Sequence, residues 1–255
     1  MPYLNSDVFY WTMPADAFEL RPLVPRAMAW AIENGQIDAG PLPVAEWFRL
    51  EDRLVPVGDY CVATGESAVS ILFFSKVPAA DLNGRRVAIT EHTSTSVQLL
   101  RVMLAERWQV QPEAFVLPDE PADALLLIGD PALRSRHGID GYPHVYDLGA
   151  EWHRHTGGLP FVFAHWVARR DTDPEALALL EATLDQSISA GLAAVDEIAI
   201  RNRAGLPPDE AARYVRGFTY RMGPAQREAL ALFKSKLQGL PAWRPAAPRA
   251  SSGRS

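Results

Sequence analysis

The residues best placed to do chemistry are the hydroxyls of Glu91-His92-Thr93-Ser94-Thr95-Ser96, which lie between an apolar run and the start of a helical pattern. A helix start offers backbone N–H groups with no partner in the helix, and clustered hydroxyls add donors beside them. Thr93, Ser94, Thr95 and Ser96 therefore suit a carboxylate held without a strong counter-charge. On spacing alone the plainer reading is favoured: Thr95 caps the helix and the others are solvated, because Ser and Thr dominate caps in any case. A second candidate is Asn5 in Tyr3-Leu4-Asn5-Ser6, whose amide can both donate and accept. It can also be read as a turn residue after a first strand. A third is Ser70, in the loop Gly65-Glu66-Ser67-Ala68-Val69-Ser70 entering a strand. The fourth is Asp130, just past Leu125-Leu126-Leu127-Ile128-Gly129, where a carboxylate beyond a buried strand either caps a turn or lines a cleft.

Other groups give weaker signals. Glu151, His153 and His155 superficially suggest a metal site, but positions two apart on a helix face different ways, so a solvated helix end is expected. His92, His137, His144 and His165 have no motif partner. Cys61 is the single cysteine; it sits in the apolar run Tyr60-Cys61-Val62-Ala63 and reads as a buried, inert thiol. No GxGxxG, Walker A or GxSxG pattern occurs, which leaves nucleotide cofactors and serine hydrolysis unsupported.

The elements that must position these residues alternate between short apolar strands and amphipathic helices, an α/β pattern. Arg26 to Asn34 reads as a helix with Gly35 as a left-handed cap. Ile37 to Gly40 reads as a strand stopped by Pro41-Leu42-Pro43, with further strands at Tyr60 to Ala63, Ala68 to Phe74, Arg86 to Thr90 and Ala124 to Gly129. Asn83-Gly84 marks a turn. Thr95 and Gln98 fit a capping box for a helix at Val97 to Arg107, with Val97, Leu100 and Leu104 on one face. Asp173-Pro174 opens a helix running to near Leu192 and towards Arg203, and Gly223-Pro224 opens a last helix to about Leu237. The stretch from Pro241 to Ser255, rich in Pro, Ala, Ser and Arg, is expected to be disordered.

The 255 residues, 48% hydrophobic and 22% charged, suit one large domain or two lobes. A net charge of −6 with scattered Lys and Arg points away from nucleic acid. No apolar run approaches the ~20 residues that span a bilayer. The start, Met1-Pro2-Tyr3-Leu4-Asn5-Ser6-Asp7, lacks the basic and apolar regions of a secretory signal, so a cytoplasmic setting is expected.

Taken in order, five longer segments carry a resemblance. They are YLNSDVFYW (Tyr3 to Trp11), GQIDAGPLPVAEW (Gly35 to Trp47), LNGRRVAITEHTSTSVQLL (Leu82 to Leu100), ADALLLIGDPAL (Ala122 to Leu133) and YDLGAEWHRHTGGLPFVFAHWVARR (Tyr146 to Arg170). The chain from Tyr3 to about Leu237 resembles the menaquinone-biosynthesis family of the futalosine route, in its chorismate dehydratase branch. The resemblance implies a two-lobed fold similar to type II periplasmic binding proteins, with the ligand cleft between lobes. Lobe 1 would comprise residues 1–72 and 166–240, and lobe 2 residues 73–165. It implies a lyase that removes water from chorismate, a small dianion, to give 3-[(1-carboxyvinyl)oxy]benzoate, needing no metal, flavin or nicotinamide. Asn5 matches the family's active-site asparagine; Ser70, Thr95 and Ser96 match ligand-holding positions, and Thr93 is Ser or Thr in relatives. Two departures stand out. Relatives carry a short strand before the YLN-type motif, so either that strand is missing here or Asn5 is held less firmly. The usual TGLP turn also gains a glycine, Thr156-Gly157-Gly158-Leu159-Pro160. Two other functions fit the resemblance. One is a non-catalytic binding protein. The other is the sister enzyme, which acts on a cyclic futalosine derivative to release a dihydroxynaphthoate. That branch has a histidine near the N-terminal asparagine, where this chain has Tyr10-Trp11. Oligomeric state is not specified by any of these features.

Overall fold

The computed structural model describes residues 3–90 and 93–241. Glu91, His92 and the segment from residue 242 onward, on which the expected disordered tail falls, lie outside the described residues.

Two sheets organise the chain, and each element follows from its local sequence. A 3-10 helix at Leu4–Phe9 comes first, then α1 (Pro25–Glu33), with Gly35 beyond its end at φ 67°, the expected left-handed stop. Strand β1 (Ala39–Pro43) runs through Pro41 and Pro43 instead of stopping at them. It is an edge strand paired only to β8 (Phe161–Arg169), and an edge has one row of N–H groups that no neighbour needs. Helix α2 (Val44–Leu50) follows, then β2 (Leu54–Thr64), longer than the expected run at Tyr60 to Ala63. With β9 (Phe218–Arg221) these make an antiparallel four-stranded sheet in the order β1-β8-β2-β9.

The second sheet has the order β5-β4-β6-β3-β7, from β3 (Ile71–Ser75), β4 (Arg86–Ile89), β5 (Ala114–Val116), β6 (Ala124–Ile128) and β7 (His144–Asp147). The apolar run Ala124-Leu125-Leu126-Leu127-Ile128 reads without alternation because β6 lies inside this sheet, parallel to β4 and antiparallel to β3. Helices α3 (Thr95–Val102, continued by a π turn to Arg107), α4 (Gly129–Arg134) and α5 (Leu148–His155) belong to this half. The chain passes between sheets at residues 65–70 and returns at 156–160, a few residues ahead of the expected 72/73 and 165/166 boundaries.

The C-terminal helices cover the first sheet: α6 (Pro174–Ala193), α7 (Val195–Ile200), α8 (Pro208–Arg216) and α9 (Pro224–Gln238). Asp173 caps α6 as expected, accepting from the N–H groups of Glu175 and Ala176 at 3.0 and 2.9 Å. The helix breaks at Ala194 before α7. At α9 the side chain of Gln226 reaches back to accept from Gly223 N at 3.0 Å.

One core runs through both halves. Trp152 of α5, Phe161 of β8 and Phe233 of α9 meet edge to face, with ring centroids 4.8–5.9 Å apart. Such pairs add roughly 0.5–1.5 kcal/mol each beyond the area they bury. Glu151, expected at a solvated helix end, is buried beside this core and ion-paired to Arg107 and Arg154. Arg107 comes from the π turn, a contact the local spacing could not show. Cys61 is fully buried in β2, and burial pushes its thiol up to about 12. His165, also buried, is held down to about 4 by the same desolvation, against a 2.7 Å contact from Nδ1 to Trp166 O.

Candidate functional site

Between the two sheets lies a cleft lined by Tyr3, Asn5, Ser70, Ser94, Thr95, Ser96 and the apolar groups around them. Val62, Phe163 and Ala164 come from the first sheet and Ile71 and Ile128 from the second. Phe218 of β9, Gly129, Pro25 and Pro43 complete the lining. Five expected site residues thus converge: Asn5, Ser70, Ser94, Thr95 and Ser96. They arrive from the 3-10 helix, the loop before β3 and the start of α3. Among the described lining residues Tyr3 is the titratable one, and burial followed by the nearby charge of Asp130 raises its phenol above the ordinary range. The cleft therefore presents neutral dipoles over an apolar floor, in surroundings where each hydrogen bond counts for more than in water.

Accounting for the hydroxyl protons separates Ser70, Ser94 and Thr95. Ser94 Oγ donates to Glu46 Oε1 at 2.8 Å, so its proton is committed. Thr95 Oγ1 accepts from Ala45 N at 3.2 Å, which leaves its own proton for a ligand. Ser70 Oγ accepts from the phenol of Tyr214 at 2.8 Å and has only Ala68 O, 3.3 Å away, to donate to. Ser94, not Thr95, is the N-cap of α3, and its side chain makes no capping bond. The expected capping box fails because Thr95 is turned towards α2, and Gln98 accepts instead from Arg101 at 2.7 Å. The Ser94 side chain thus leaves the leading N–H groups of α3 uncapped, at a helix start whose residues 94–96 line the cleft.

Two expected residues do not line the cleft. Thr93 is buried, its backbone N folded back onto Thr90 O at 3.3 Å, with its hydroxyl oxygen unpartnered. Asp130 lines a neighbouring hollow with Tyr3, Asp7, Arg201 and Arg203, because Gly129, at φ 61°, turns the chain away from the cleft. One of its oxygens is buried without a partner, and burial raises its pKa, opposed by Arg134. A larger hollow beside Arg53, Arg169 and Arg170 is a different kind of surface. Its cations are already engaged, Arg169 by Asp171 and Arg170 by the carbonyls of residues 51, 52 and 54. Sequence reasoning missed Tyr3, Phe163 and Phe218 as lining, and Tyr214 behind Ser70. Tyr214 lies 144 positions from its partner and no local pattern announces it.

Three comparisons with known proteins bear on this arrangement. The chorismate dehydratase of Thermus thermophilus is 28% identical, with 94% of this chain and 93% of that protein covered. The 1,4-dihydroxy-6-naphtoate synthase of Streptomyces coelicolor is 30% identical over 62% of this chain and 60% of that one. A Candida albicans protein described as having the generic periplasmic binding protein fold superposes with a TM-score of 0.59 at 10% identity, covering 96% of this chain and 90% of its own. The fold is therefore of the periplasmic-binding-protein kind, α/β with two sheets facing a cleft. The sequence pattern of the menaquinone-biosynthesis family matches residues 1–238, nearly the whole described chain, and the protein belongs to that family.

Proposed function

We propose that this cleft dehydrates chorismate to 3-[(1-carboxyvinyl)oxy]benzoate on the futalosine route to menaquinone. The observation that carries the reading is a lining of neutral donors, from Asn5, Ser70, Thr95 and Ser96, around an apolar floor. The reading takes the two sheets as the two lobes and, through the family resemblance, a cytoplasmic setting.

In the reaction the ether-bearing ring carbon loses a proton, the neighbouring carbon loses its hydroxyl, and the electron pair left behind completes an aromatic ring. One water departs and no electrons are gained or lost overall. Aromatisation makes the step downhill, so the protein's task is selectivity, since losing the enolpyruvyl group would also give an aromatic ring. Holding both carboxylates fixes which bonds align for elimination. The start of α3, with Thr95 and Ser96, would hold one carboxylate and Ser70 the other. The described lining residues offer no strong base, and in this reading the proton goes to the substrate's own enolpyruvyl carboxylate or to a bound water, and from there to the departing hydroxide. Asn5 orients the participating groups.

The test is to incubate the purified protein with chorismate and look by mass spectrometry for a product one water lighter. Tight binding without product would turn the reading towards a non-catalytic carboxylate-binding protein. The sister activity on a cyclic futalosine derivative draws support from the resemblance to the Streptomyces enzyme. Against it, that branch carries a histidine near its N-terminal asparagine, and no histidine among the described residues lines this cleft. Product from that substrate and none from chorismate would decide for it.

A further inference from the structure

The turn that delivers Ser70 to the cleft is held more elaborately than a surface loop requires. Val69 sits at φ 61°, a left-handed conformation that a β-branched residue adopts only under constraint. Ser70 N bonds back to Ala68 O at 2.6 Å, tightening the turn further. The constraint is the carboxylate of Asp147, which ends β7 and caps α5. It accepts from Ser67 Oγ at 2.6 Å, Ala68 N at 3.0 Å, Val69 N at 2.6 Å and Ala150 N at 3.0 Å. One carboxylate thus ties the turn to the second half of the molecule.

Ser70 is then approached from behind. Tyr214, buried on α8 in the first half, donates its phenolic hydrogen to Ser70 Oγ at 2.8 Å. Burial pushes that phenol well above its usual range, so it remains a donor at any working pH. A free serine can donate or accept, and towards an anion only donation helps. With one of its two lone pairs taken by Tyr214, Ser70 keeps a hydrogen that has a poor internal partner at 3.3 Å and a cleft in front of it. Hydrogen bonds in series polarise one another, which strengthens the outward donor.

We propose that Tyr214 and Asp147 are positioning residues for substrate binding: Asp147 fixes the turn, and Tyr214 orients and polarises Ser70 so that it donates to a carboxylate. The inference rests on the reading that Ser70 holds one carboxylate of the substrate.

Steady-state kinetics with chorismate on the full chain test it, using a double-mutant cycle. Tyr214→Phe removes one oxygen and is expected to raise KM about tenfold, the worth of one charge-assisted hydrogen bond, while kcat stays within about twofold. Ser70→Ala should raise KM similarly, and the double variant should be no worse than Ser70→Ala alone. Asp147→Asn, which turns an acceptor into a donor facing N–H groups, should raise KM in the wild-type background and leave it unmoved in the Ser70→Ala background. This second arm decides the matter if Tyr214→Phe fails to fold. A purely structural role would lower the melting temperature and leave KM in place, and additive effects would likewise overturn the inference. Wild-type protein that leaves chorismate untouched sinks the functional reading and this inference together. Wild-type turnover with KM unmoved in both positioning variants sinks the inference alone.

Discussion

The two polar walls of the cleft are held in place by different forces. Ser70 is fixed by hydrogen bonds: a phenol behind it, a carboxylate gripping its turn, and backbone so close that a Cβ on Gly149 would come 2.8 Å from Ala68 N. Asn5 is fixed by packing. Its 3-10 helix spans only Leu4–Phe9, and among the described residues the one side-chain bond to the amide is from Ser6 Oγ at 3.3 Å. The anchors are Val8 and Phe9, both fully buried, with Phe9 meeting Tyr220 and Trp166 edge-on at 5.5 and 5.6 Å. Gly191 of α6 lets that helix settle, since a Cβ there would come 2.8 Å from Val8 Cα and 2.9 Å from its carbonyl oxygen. Polar bonds fix where a donor points, whereas packing fixes where a backbone lies and leaves an amide free to turn. A wall that grips a carboxylate needs the first, and a residue that orients groups during elimination is served by the second.

The largest expected effect breaks the second wall at its tip. Asn5→Ala should lower kcat on the order of 100-fold, the scale of lost orientation, while KM stays within about threefold. Unchanged turnover removes Asn5 from the mechanism and leaves the cleft as a binding site only. The two glycines sharpen the contrast at smaller cost. Gly191→Ala should push the 3-10 helix off α6, losing roughly 1–3 kcal/mol of stability by overpacking and lowering kcat more than it raises KM. Gly149→Ala should disturb the turn beneath Ser70 and do the reverse, raising KM with kcat nearly kept. Denaturant unfolding and steady-state kinetics on the pair give the answer, and the same kinetic signature from both would erase the distinction between the walls.

What was legible in the sequence follows the range of the forces involved. Gly35, Asp173-Pro174 and Gly223-Pro224 mark helix ends correctly because a cap is settled within a few residues. The hydroxyls of residues 94–96 were legible as a helix start, but their roles were not. Ala45 claims Thr95 from 50 positions away and Glu46 claims Ser94 from 48, so the capping box suggested by local spacing does not form. Pro41 and Pro43 read as a stop only if β1 is assumed to have neighbours on both sides, and edge position is a property of the whole sheet. Asp147 and Tyr214 lie 79 and 144 positions from the residues they hold and fall within ordinary strand and helix patterns. The resemblance named Asn5, Ser70, Thr95 and Ser96, all of which line the cleft, and Thr93, which does not. The Asp130 reading placed a carboxylate beyond β6 correctly, but it could not foresee that Gly129 turns it into the adjoining hollow.

The smallest expected effect is in the pH profile, and it asks whether the Asn5 wall hides a base. Asp7, two residues beyond Asn5, is pushed up to about 6 by burial against the pull of Arg203, and it lines the hollow next to the cleft. If Asp7 accepted the proton it would have to be ionised. Then kcat would hold above pH 6, fall as pH drops through that value, and be low at every pH in Asp7→Asn. With the proton passing to the substrate's own carboxylate or to water, kcat should vary by no more than about twofold from pH 6.5 down to 5.5, and Asp7→Asn should follow the same curve. Tyr3, raised above the ordinary phenol range, contributes no inflection near neutrality. A fall centred near pH 6 that disappears with Asp7 would give the packed wall a catalytic charge. The contrast would then be between a wall that binds with neutral donors and one that catalyses with a carboxylate.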